Sequence, residues 1–152
     1  MLFQYLYDFR RESRLNHNLI TEKYGRMMES TAPSEYDSIK ENFPEVSEEK
    51  KQIIETVVGL QVEWMEEFSR EFPKLAGRAR DIRTASDTIQ NTSYETYLRG
   101  ELSTYSDKML ELYARFIVAH AKEGKNLAYE IMENNVHLYG YKDLKTAERE
   151  QR

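Results

Sequence analysis

Between Ser47 and Pro73, the residues Ile53, Val57, Leu60, Trp64 and Phe68 recur every three or four positions, the spacing that lines apolar side chains along one face of an α-helix. Ser47 stands ahead of Glu48 and Glu49 as an N-cap followed by acidic first-turn residues, and Phe72-Pro73 supplies the stop. Ile54, Val58 and Met65 widen the apolar stripe. A helix with so broad an apolar face belongs at the centre of a fold, covered on more than one side.

The same period runs through most of the chain. Leu2, Leu6 and Phe9 form one short stripe, and Ile20, Tyr24 and Met27 or Met28 form another before Ser30-Thr31-Ala32-Pro33. The three prolines, Pro33, Pro44 and Pro73, punctuate these patterns without interrupting one. Thr92 with Glu95 fits a capping box that opens a helix through Tyr94, Tyr97, Leu98 and Leu102. Ser106 caps the next, carried by Leu110, Tyr113, Ile117 and Ala121, and Leu127 or Ala128, Ile131, Asn135 and Leu138 keep its phase. An unbroken helix over 107–138 would be about 48 Å long, more than the roughly 38 Å diameter of a compact chain of this size, so a break is expected near Gly124. From about 74 to 91 no period survives, which reads as one long irregular loop; 145–152 reads as a tail. Strand-like alternation is absent. The expectation is a single all-α domain over 1–152, a compact bundle of about five helices.

Composition narrows the function classes. The formal net charge is −5 and 32% of residues are charged, which suits a solvated surface around one core. The longest apolar run, Phe116 to Ala119, is far short of the roughly 20 residues a spanning helix needs, so no membrane partner is expected. The opening residues carry no basic n-region or long apolar run, and the cytoplasm is the expected compartment. Zero cysteines remove disulfides, thiolate nucleophiles and cysteine-ligated zinc. The six glycines are isolated from one another and no Gly-x-Ser-x-Gly occurs, so phosphate-cradling loops and nucleophile elbows are missing. Glu133 with His137 and His120 with Glu123 share helical faces but form no paired ligand motif, and neither a metal nor an organic cofactor is expected. Convergence of His120 with His137 depends on the break at Gly124.

Two constellations remain. Lys74, Arg78, Arg80 and Arg83, offset by Asp81 and Asp87, give one stretch a charge of +2 against −7 in the remainder. With Arg99 on the following helix, they form a candidate site for a small anionic or phosphorylated ligand, too small a basic surface for nucleic acid. The second is the stripe Leu2, Tyr5, Leu6 and Phe9, a candidate interaction face. A shift of 108 residues also superposes Leu2 on Leu110, Tyr5 on Tyr113, Asn18-Leu19 on Asn126-Leu127 and Glu22 on Glu130, which reads 1–30 as the remnant of a first repeat and 94–144 as a second.

The runs Leu19-Ile20-Thr21-Glu22-Lys23-Tyr24, Gln61 to Phe68, Phe72 to Arg78, Tyr94 to Glu101, Gly124 to Leu127 and Leu138 to Tyr141 resemble the bacterial family catalogued as domain of unknown function 4125, over nearly the whole chain. The resemblance implies no established activity and no catalytic positions. It also implies that members carry a Gly-rich, Cys-containing N-terminal segment with no counterpart here. The expected function is a non-catalytic helical module that binds a partner chain or itself; the alternative is an enzyme or binding protein for a small anion held by 74–83. No catalytic residue is named.

Overall fold

The computed structural model describes residues 1–152, and its regular structure is entirely helical. The chain runs through α1 (Leu2–Arg14), α2 (Leu19–Thr31), α3 (Pro33–Ile39), α4 (Glu48–Glu71), α5 (Pro73–Ala76), α6 (Tyr94–Ser103), α7 (Asp107–Lys122), α8 (Leu127–Leu138) and α9 (Leu144–Glu150), with single 3₁₀ turns at Lys40–Asn42 and Thr84–Ser86. Nine helices replace the expected five or so. Pro33 and Pro73 each occupy the first turn of a new short helix, where the missing N–H would be unpaired in any case; they start elements as well as ending them. The expected tail is helical through Glu150, with Ala147 fully buried.

The 24-residue α4 is the axis. It contacts α5, α6, α7 and α8, and its inward face is Ile54, Val57, Val58, Gln61, Val62 and Phe68. Ile53, placed on that face by spacing alone, is 42% exposed. One core cluster joins the first half of α4 to Leu98, Leu102, Leu110 and Ile117. A second joins Phe68 and Phe72 to Leu75, Ala128, Val136, Leu144 and Ala147. Trp64 packs against both, so the two halves share one continuous apolar seam.

The break at Gly124 is present, and it has a twin. Gly124 adopts φ +67° and Asn16 adopts φ +60°. After each, an asparagine caps the next helix: Asn18 accepts from the amide of Ile20, and Asn126 from that of Ala128. The turn bonds repeat in the same register, His17 N–H to Glu12 C=O and Lys125 N–H to His120 C=O, each at 2.9 Å. The α1–α2 and α7–α8 corners are thus built alike, 108 residues apart.

Residues 74–91 are not one irregular loop. They contain α5 and a 3₁₀ turn, and the amides of Tyr94 and Glu95 bond back to the carbonyls of Asp81 and Ile82 at 2.7 and 2.9 Å. The α6 cap is Ser93, whose Oγ accepts from Thr96 N–H, one residue beyond the expected Thr92; Glu95 instead accepts from the amide of Thr84. The total accessible surface is 9961 Å², against about 8,100 Å² for a compact monomer of 18.1 kDa. The helices nonetheless pack as the expected compact bundle around α4.

Candidate functional site

The five candidate anion-binding side chains do not converge. Arg83 forms a two-pronged pair with Glu66, its Nη2 lying 3.0 Å from Oε2. That contact raises the Arg83 pKa and lowers that of Glu66. Arg99 reaches from α6 to Glu55 on α4 at 2.7 and 3.1 Å and to Glu95 at 2.7 Å, and Glu55 in particular raises its pKa. Burial works against the Glu95 carboxylate, but Arg99 and the Thr84 amide hold it below its ordinary range. Arg80 lies over the Tyr97 ring, 4.5 Å from the centroid. Lys74 and Arg78 are exposed; the backbone amides of Lys74 and Leu75 each donate to one oxygen of Glu148, both at 2.8 Å.

Arg99 also faces a cleft of about 750 Å³ between α2, α3, α4 and α6. Arg26, Lys40 and Lys51 line it too, and each already has an acid: Glu22, Asp37 and Glu48, at 2.7, 2.9 and 3.2 Å. Beneath it, Asp87 accepts from the hydroxyls of Ser30 and Thr96 and, at 2.6 Å, from the amide of Ser93. Burial raises the Asp87 pKa, but these three donors overcome it and hold the carboxyl below its usual range. A carboxylate so well supplied is a weak base.

The candidate interaction face divides. Tyr5 packs edge-on against Tyr105, ring centroids 5.9 Å apart, and stacks on Phe9 at 6.5 Å, so these two turn inward. Leu2 and Leu6 are 70% and 55% exposed. Phe3 and Tyr7, which the i, i+4, i+7 reading passed over, join them at 82% and 56%. Their signal was present: Phe3 and Tyr7 repeat the four-residue step of Leu2 and Leu6, which gives α1 an apolar outer face as well as an inner one.

Each histidine has its own contacts. His17 bridges the α1–α2 corner, its Nδ1 2.9 Å from a Glu12 oxygen and its Nε2 2.7 Å from a Glu22 oxygen; the second contact is an ion pair without hydrogen-bond alignment. His120 Nδ1 lies 2.9 Å from the carbonyl of Phe116 and His137 Nε2 2.8 Å from that of Lys142. No group of three or more His, Asp or Glu is arranged to hold a metal ion, and no helix is long and apolar enough to cross a membrane.

A sequence model of the family described as "Protein of unknown function (DUF4125)" matches residues 1–149. No curated protein and no solved structure matches the chain.

Proposed function

The chain belongs to the DUF4125 family, and from that premise we propose that it is a non-catalytic helical interaction module that pairs with a second copy of itself through the outer face of α1. The carrying observation is the exposure of Leu2, Phe3, Leu6 and Tyr7 on one face of a single helix. The alike corners explain what such a face is suited to cover. Leu110 and Ala114 stand on α7 where Leu2 and Leu6 stand on α1, and they pack into the α4 core. Nothing in the chain does for α1 what α4 does for α7.

An apolar helix face is satisfied by another apolar helix face, and a two-fold pairing lets the same patch serve as both partners. Arg10, Arg11 and Arg14 follow the patch toward the C-terminal end of α1, with the Arg11 guanidinium 6.0 Å from the Tyr7 ring centroid, so crossing near Leu2–Leu6 keeps like charges at the rim. The non-catalytic reading is supported by the engaged state of the cleft's cations and by Asp87, too well bonded to act as a base for Ser30. We place the protein in the bacterial cytoplasm, a setting that asks for no disulfides of a cysteine-free chain. Hydrogen exchange at increasing protein concentration tests the pairing: amides of Leu2 to Arg11 gain protection if it forms, and keep a constant rate if it does not.

A further inference from the structure

Two cations converge on one ring. Lys23 Nζ, from α2, lies 4.7 Å from the Tyr97 centroid and donates to the Tyr97 phenol oxygen at 3.0 Å. The Arg80 guanidinium, from the segment after α5, lies 4.5 Å from the same centroid. The charges are therefore separated by no more than those two distances combined. Neither pairs with a carboxylate, in contrast to Arg26, Arg83 and Arg99. Two cations on one ring, neither of them in an ion pair, add positive potential at this point of the surface, in a chain whose net charge is −5.

The local packing builds this arrangement. A Cβ at Gly100 would lie 3.1 Å from the carbonyl oxygen of Lys23 and 3.0 Å from Met27 Cγ, so it is the missing side chain on α6 that lets α2 approach and brings Lys23 alongside Tyr97. Donor capacity is left over. Lys23 uses one of its three N–H groups on Tyr97, and Arg80 uses one of five on a long 3.4 Å contact to the Thr92 carbonyl. Burial opposes the Lys23 charge, but the Tyr97 oxygen and the field of Glu101 outweigh it and raise its pKa; the ammonium stays charged at neutral pH. Glu101 is the acid facing this group, and it forms no ion pair with Lys23. Beside Lys23, 4.9 Å from its Nζ, the Tyr24 ring is 53% exposed.

We propose that Lys23 and Arg80, held by Tyr97, bind a phosphate monoester whose organic part lies against the open face of Tyr24. The Arg80 fork takes two phosphate oxygens, Lys23 supplies the second charge for a dianion, and Tyr24 offers its ring to a flat or apolar substituent. The site owes nothing to α1, so it stands or falls separately from self-association.

Calorimetric titration of the full chain with phenyl phosphate, inorganic phosphate and benzoate at matched ionic strength tests the proposal. Expected are saturable one-site binding of phenyl phosphate, weaker binding of inorganic phosphate and the weakest of benzoate. Arg80→Gln and Lys23→Gln should each weaken phenyl phosphate by about tenfold or more, while Arg83→Gln, whose guanidinium is already held by Glu66, should leave it unchanged. Absence of saturable binding to the wild type, equal affinity for benzoate, or undiminished affinity in both the Lys23 and Arg80 variants would overturn it.

Discussion

Asp8 on α1 accepts a hydrogen bond from the hydroxyl of Ser106, and that hydroxyl also accepts from the Met109 amide to cap α7. Asp8 is 4% exposed, and Gln4 donates to its other oxygen at 3.0 Å. One buried carboxylate thus pins α1 by its inner side to the α6–α7 corner, which fixes which side faces outward. Asp8→Ala should lower stability by about 1–3 kcal/mol, the range for removing one partner of a buried polar contact. Chemical denaturation gives the number, and faster exchange of α1 amides locates the loss; a change under a few tenths of a kcal/mol would mean that the contact does not hold α1.

Two glycines should respond oppositely to the same substitution. A Cβ at Gly59, exposed in the middle of α4, meets nothing within 4 Å, so Gly59→Ala removes only the helix penalty of glycine and should stabilise by about 0.5–1 kcal/mol. Gly100→Ala places a methyl group against the Lys23 carbonyl and should destabilise by about 1–3 kcal/mol. Thermal denaturation of the pair decides it, because equal shifts would show that α2 and α6 are not in close contact there.

The α1–α2 corner should weaken on the alkaline side of neutrality. Contact with Glu12, above all, raises the His17 pKa above 6.5 against the opposing effect of burial. A group whose folded value is raised stabilises fully below its unfolded value and loses that contribution as pH rises through the folded one. Glu12 is lowered by the same contact, so its share is lost only in acid. Stability of the wild type should therefore fall more than that of His17→Gln as pH rises from about 6 to 8; parallel curves would remove His17 from the corner's energetics.

Long-period elements were legible in the sequence because their stabilisation comes from repeating apolar contacts. The caps Ser47 and Ser106, the centrality of α4 and the break at Gly124 follow from spacing and turn chemistry. Residues 74–91 were not legible, since that segment is held by individual bonds, Asp87 to Ser30, Ser93 and Thr96 and Arg83 to Glu66, which leave no period. The basic island fell apart for the same reason: its side chains are close in sequence, but Arg83 goes to Glu66 on α4, Arg80 to the Tyr97 ring on α6, and Lys74 and Arg78 stay exposed. Lys23 was invisible as a site residue because only the α2–α6 approach at Gly100 brings it to Tyr97.

Self-association through α1 is tested most directly by sedimentation velocity of the wild type and of Leu6→Glu over a range from low to high micromolar protein. Leu6 is more than half exposed, so the substitution should leave the melting temperature of the monomer nearly unchanged. The account predicts a concentration-dependent monomer–dimer equilibrium for the wild type and a monomer throughout for Leu6→Glu. A wild type that sediments as a monomer across the whole range, or a dimer that Leu6→Glu does not disturb, would contradict it.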